Sequence, residues 1–255
     1  MTLQSKKGPM VTNQKRIEYC NSVLINNEHN CQCFNNNNHP SRNIKKCAKL
    51  NSKKCNAYNS CKRYLKTFMN GSEPIFRPSR WNKPVVLKSH NCYAYALDDH
   101  YKKTKKKCRQ LYKKNKKYSD CSNLKPQPGY YSKVTEKKHK KYDCKNMMYK
   151  IMKDNPSIKP IKFNRKCPNK YYKAAIVIDP KHTYHFYRQD KNVRWSHKPG
   201  TLKVTNKDAS GNPIYAPHLS DRNYNKELEK DGIDYTKFCN YFCVPKNSFK
   251  RTNAI

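Results

Sequence analysis

A chain of 255 residues is long enough to close over one large core, but only 35% of its residues are hydrophobic, so one compact domain with less well packed extensions is expected. Lys+Arg number 56 against 17 Asp+Glu, a formal net charge of +39, and self-repulsion on that scale calls for a neutralising partner: DNA, RNA, an anionic membrane surface or an acidic protein. The longest apolar runs, Ala174 to Ile178 and Val85 to Leu87, are far too short to cross a bilayer, and nothing behind Lys6 and Lys7 reads as a secretion signal, so a soluble or peripheral protein with no transmembrane segment is expected.

Residues 1–75 read as a basic, Cys-rich N-terminal extension. It holds Cys20, Cys31, Cys33, Cys47, Cys55 and Cys61, with His29 and His39 among them. One Cys-x-Cys is present but no Cys-x-x-Cys knuckle, so the zinc signal is weak, and disulfides or reduced thiols are the alternatives. The chain's 13 cysteines are an odd number, and setting Cys92 aside leaves an even set for cross-linking. Cys61 to Met69 places Tyr64, Leu65 and Phe68 on one helical face. Gly71-Ser-Glu-Pro74 marks a boundary.

Residues 76–255 read as the main domain. Pro78 to Pro84 is expected to be extended, because a residue before proline avoids the helical region. A helix is expected from Cys92 to about Tyr101, capped by Asn91, with Ala94, Ala96 and Leu97 on a face of small and apolar residues. A cysteine in a helix's first turn sits at the positive end of the dipole, which favours its thiolate. Residues 101–118 interleave lysines with tyrosines and read as a solvated insertion, a surface loop suited to acidic protein neighbours or to nucleic acid without sequence preference. Asp143 to Asp154 reads as a helix with Met147, Met148, Ile151 and Met152 on one face, stopped by Pro156. Strands are expected over Pro160 to Phe163, Tyr171 to Asp179, the hairpin Thr183 to Arg188 and Val193 to Ser196, and Tyr235 to Val244.

Three residues carry the chemistry. A thiol hydrolase needs a sulfur nucleophile, a histidine to move its proton and a third group to orient the imidazole. Cys92 at a helix start, His185 on a strand and His197 across the following hairpin supply these roles in one spatially sensible order. Amide groups at the helix start can stabilise the oxyanion, with Cys92's own amide plus His90 or Asn91 as candidates. No cofactor or metal is called for.

The motifs Ser89-His-Asn-Cys-Tyr-Ala-Tyr-Ala96 and Trp195-Ser-His-Lys-Pro-Gly200 resemble the NlpC-type branch of the papain-like cysteine peptidases, and also a group of uncharacterised proteins of bacteria and large DNA viruses. The resemblance covers roughly residues 76 to 245. It implies an α+β fold with a central antiparallel sheet and the cysteine helix packed on it. It also implies cleavage of peptide or amide bonds, often in cell-wall peptides, and a place in a virion. One departure is that the family's Asp-Cys-Ser-Gly is here Asn91-Cys-Tyr-Ala94. Three functions stay open: a virion-associated Cys-His-His hydrolase, a structural virion protein reusing the hydrolase fold, and a sequence-neutral nucleic-acid binder.

Overall fold

The structure, a computed structural model, describes residues 12–31, 52–134, 142–225 and 232–246. The chain divides into two compact units, Met1–Thr67 and Phe68–Ile255.

The described part of the first unit is a pair of helices, α1 (Asn13–Cys31) and α2 (Ser52–Lys66). Disulfides Cys20–Cys61 and Cys31–Cys55 join them, so the zinc alternative gives way for these four cysteines. Cys33 and Cys47 lie outside the described residues. Ile17, Leu24, Tyr58 and Leu65 are buried, a small apolar set for two helices.

In the second unit come four short or medium helices: α3 (Pro78–Trp81), α4 (Pro84–Ser89), α5 (Cys92–Ala96) and α6 (Lys102–Asn115). A 3₁₀ segment, Tyr118–Leu124, and α7 (Cys144–Asp154) follow. The strands are β1 (Lys159–Ile161), β2 (Tyr171–Asp179), β3 (Thr183–Gln189), β4 (Trp195–His197) and β5 (Lys237–Pro245). They form one antiparallel sheet in the order β1-β5-β2-β3-β4. The molecule is therefore α+β with a five-stranded antiparallel sheet.

Side-chain alternation sets the layers. Tyr172, Ala174, Ile176 and Ile178 of β2, Phe186 of β3, and Phe242 and Val244 of β5 pack with Cys92, Tyr93 and Leu97 and with Met147, Met148 and Ile151 of α7. The cysteine helix and α7 thus lie on one face of the sheet. Asp143 caps α7 by accepting from the Asn146 amide at 2.8 Å. Disulfides Cys144–Cys239 and Cys167–Cys243 tie the layers to β5, and Cys108–Cys121 ties α6 to the 3₁₀ segment.

Three segments differ from the sequence reading. The stretch after Arg77 is not extended: Arg77 and Lys83 keep non-helical angles, but Pro78 and Pro84 each open a helix at its first position, where a missing N–H costs nothing. The cysteine helix stops at Ala96 rather than near Tyr101. Asp98 turns left-handed (φ 47°), and the Asp99 amide donates back to the Ala94 carbonyl at 3.0 Å, closing the end. The lysine-rich run is a helix rather than a loop. Lysine is a good helix former, Cys108 buries one face, and Lys116 ends the helix in the left-handed region.

Candidate active site

Each residue of Asn91-Cys-Tyr-Ala-Tyr-Ala96 has a local task. Asn91 caps α5: its Oδ1 accepts from the Ala94 amide at 3.0 Å, and its Nδ2 donates to the Pro126 carbonyl at 3.0 Å. Tyr93 donates its hydroxyl proton to Asp154 at 3.1 Å. The Tyr95 hydroxyl lies 2.6 Å from the Ser196 hydroxyl, and the Ala96 carbonyl accepts from Tyr172 at 2.9 Å. The helix that carries Cys92 is thereby pinned to α7, β2 and β4.

The second motif is read as readily. Trp195 is fully buried against Tyr241 and Phe163. Ser196 meets Tyr95. His197 pairs with His185. Lys198 turns inward and donates to the carbonyls of Leu87 at 2.9 Å and Gly200 at 2.5 Å. The hairpin end therefore holds both the helix bearing Cys92 and the segment just before it.

β3 sends Tyr184 and Phe186 to the helix face and His185 and Tyr187 to the other. His197 stands opposite Tyr187 in the register, so His185 is its diagonal neighbour, and His185 Nε2 lies 2.8 Å from His197 Nδ1. His197 Nε2 lies 2.8 Å from the Lys207 carbonyl. A carbonyl only accepts, so His197 carries its proton on Nε2 and offers a lone pair at Nδ1. His185 must then donate from Nε2, which leaves its own Nδ1 basic. The relay fixes the tautomer of both rings.

Cys92 is the free cysteine among the described residues and is 6% exposed. β4 pairs with β3 only over Tyr187 to Gln189, so the outer edge of β3 is free of β4 at Phe186, where main-chain hydrogen bonding favours the Cys92 thiolate. The amides of Tyr93 and of Cys92 itself act the same way. Burial outweighs all three and pushes the thiol up to about 11. The imidazoles are also held neutral. Burial, then the neighbouring His197 and Lys198, push His185 well below its ordinary value, and burial takes His197 down to about 4. At rest the Cys92 thiol and both imidazoles are neutral, and no hydrogen bond joins the thiol to His185 among the described residues.

The thiol and His185 share neighbours. Tyr235 stacks on the His185 ring with centroids 5.4 Å apart, and, after burial, a Cys92 thiolate would disfavour ionisation of its hydroxyl. Lys198 also acts electrostatically on both. Burial brings the Lys198 ammonium down to about 7. Sequence reasoning missed Lys198 and Tyr235. Lys198 adjoins His197 inside the motif, which was a signal; Tyr235 reaches the site from the start of the closing strand and carries none.

Of the oxyanion residues, the Asn91 side chain is engaged at both ends by the cap and by Pro126. His90 is buried, with Nδ1 2.7 Å from the Ser89 hydroxyl and its ring stacked on Tyr101 at 5.5 Å. The group left for that role is the Cys92 amide, which as the first helical residue has no partner within α5.

Beneath the site lies a charged anchor. Arg188, fully buried, donates to Asp98 at 2.9 Å and to Asp190 at 3.2 Å, and its guanidinium lies over the Tyr95 ring at 4.1 Å. A surface cavity of about 490 Å³ lies nearby, lined in part by Gln127, Tyr184 and Met147. Gln127 also faces Asn91 at 3.5 Å. Among the described residues no group of three or more His, Cys, Asp and Glu is placed to hold a metal ion, and no helix is long and apolar enough to cross a membrane.

No protein-family model matches the chain, and no solved structure matches it. The chain is similar to the insoluble matrix shell protein 1 of Ruditapes philippinarum, at 26% identity over 148 residues, which cover 58% of this chain and 80% of that protein.

Proposed function

We propose that the Phe68–Ile255 unit is a papain-like, NlpC-type thiol hydrolase acting on peptide or amide bonds, with Cys92 as nucleophile, His185 as base and His197 as its orienting partner. The observation that carries this reading is the relay from His185 through His197 to the Lys207 carbonyl, which leaves His185 Nδ1 basic, together with an unpaired Cys92 whose thiolate is favoured by the main chain at Phe186, the residue after His185. That cysteine stays a thiol in a chain whose other described cysteines are all in disulfides.

In the first step the Cys92 sulfur attacks the carbonyl carbon while its proton passes to His185 Nδ1. The carbonyl oxygen takes the negative charge beside the Cys92 amide. His185 then returns the proton to the departing amine as the carbon–nitrogen bond breaks, leaving a thioester. Water, deprotonated by the same imidazole, cleaves the thioester and restores the thiol. Lys198 is a positioning residue: protonated, it favours the thiolate, and its contacts hold the Leu87 and Gly200 main chain around the site. The test is labelling by an electrophilic acyl probe with mapping of the modified peptide. The adduct is expected on Cys92 and absent from Cys92→Ala, with the circular dichroism of the two proteins alike. Equal labelling of both proteins sinks the reading.

A second reading is favoured by the likeness to a shell matrix protein, the disulfides and the charge of +39. In it the fold is a cross-linked structural protein of a virion or other acidic matrix, and the thiol is idle. It predicts the same incorporation of wild-type and Cys92→Ala protein into that matrix, with no acyl adduct on either.

A further inference from the structure

A second cavity, of about 390 Å³, lies between α3, α4 and α6. Arg80, Lys83, Lys102, Lys105 and Arg109 line it together with His100, and Val85 and Val86 supply an apolar wall. These cations come from two helices, α3 and α6, and from Lys83 in the turn before α4, so the fold gathers them; they are not one face of a lysine run. Lys103 and Lys107, exposed on the same helix, are not among the lining residues.

The cluster is short of negative charge. Asp98 lies 3.9 Å from Arg80, but its other oxygen holds Arg188 at 2.9 Å. Asp99 is the carboxylate that supports the Lys105 ammonium, against Arg109, Arg80 and Lys102, which with burial push it below its ordinary value. His100 packs its ring on Trp81 with centroids 4.1 Å apart, and among the described residues its Nε2 is shielded from solvent and without a hydrogen-bond partner. The first turn of α6, which includes Lys102, has no side-chain cap from Tyr101.

We infer that this cavity is a binding site for a tetrahedral dianion, the phosphate monoester group of an organic ligand, whose carbon portion lies along Val85 and Val86. A dianion placed here meets guanidinium and ammonium donors from several sides and relieves their mutual repulsion, which a single chloride does less well. The cavity is of ligand size and holds more than a bare ion. The inference is independent of the thiol chemistry: it requires no turnover, and it stands if Cys92 is idle.

The test is calorimetric titration of the full chain with inorganic phosphate, inorganic sulfate, a phosphorylated monosaccharide and a sulfated monosaccharide, at ionic strength fixed with chloride. Three proteins are compared: wild type, Lys105→Glu with Arg109→Glu, and Lys103→Glu with Lys107→Glu. Both variants change the net charge equally and alter only helix-surface side chains. Wild type and the Lys103/Lys107 variant are expected to bind one equivalent with like affinity, with the phosphorylated monosaccharide at least tenfold tighter than inorganic phosphate. The Lys105/Arg109 variant is expected to lose at least tenfold. The sulfated monosaccharide, whose ester is a monoanion, is expected to bind more weakly than the phosphorylated one, and the reverse order would overturn the dianion requirement. Equal losses in the two variants would mean a diffuse field and would overturn the site, as would the absence of saturable binding by wild type.

Discussion

Cys92 rests as a neutral thiol because burial outweighs the main-chain groups of Phe186, Tyr93 and Cys92 that favour its thiolate. Its alkylation by iodoacetamide should therefore climb about tenfold per pH unit from pH 7 to 10, where a thiol of about 8.5 is already levelling off. A profile that flattens near pH 6 would instead reveal a preformed thiolate–imidazolium pair. Lys198 carries a second pH signature. Its folded value of about 7 lies below the ordinary 10.5, so between them the unfolded chain binds more protons and stability rises with pH through that window. Below about pH 7 the lysine is charged in both states and the slope ends. Denaturant midpoints of wild type and Lys198→Met at pH 7 and pH 10 check this. Wild type should gain on the variant as pH rises, by at most about 1.4 kcal/mol per pH unit, and a constant gap contradicts it.

The elements are held in place by contacts that cross from β3 and β4 to α5. Arg188 is the largest of them, joining Asp190 on its own hairpin to Asp98 just past the cysteine helix. Removing it leaves two carboxylates facing a buried gap and strips the Tyr95 ring of its cation. Arg188→Ala should cost about 3–5 kcal/mol in urea unfolding, and a loss under about 1 kcal/mol would show the pair to be incidental. Such pairs are the part of the site that the sequence hid. β2 is legible because Ala174 to Ile178 is an unbroken apolar run, and the hairpin is legible because Thr183 to Phe186 and Trp195 flank a polar turn. The Asn91 cap is legible too, being a local bond three residues long. The contacts of Arg188 with Asp98, Lys198 with the Leu87 carbonyl and Tyr235 with His185 join segments far apart in sequence, and nothing in the chain's periodicity reports them. The lysine helix was misread for a related reason. Its composition resembles a solvated loop, and what secures it, the burial of Cys108 bonded to Cys121, is a tertiary contact.

At the scale of the whole molecule, charge and cross-links pull in opposite directions. A net charge of +39 loosens a compact chain, while the five disulfides among the described residues restrict the unfolded one. The first unit depends on them most. Cys20–Cys61 and Cys31–Cys55 span 41 and 24 residues, each worth about 3–4 kcal/mol by loop entropy, against a small apolar interior. Under mild reduction, limited proteolysis should cut first within residues 13–66, and simultaneous or earlier cleavage in the sheet unit would contradict that order.

The central claim, that Cys92, His185 and His197 act as one chemical unit, is tested most directly by the single-turnover rate of acylation by a p-nitrophenyl ester. The account predicts no acyl-enzyme from Cys92→Ala, a rate reduced about 10²–10⁴-fold in His185→Ala, and a smaller reduction in His197→Ala that leaves the sheet folded. Acylation of His185→Ala at the wild-type rate would contradict it.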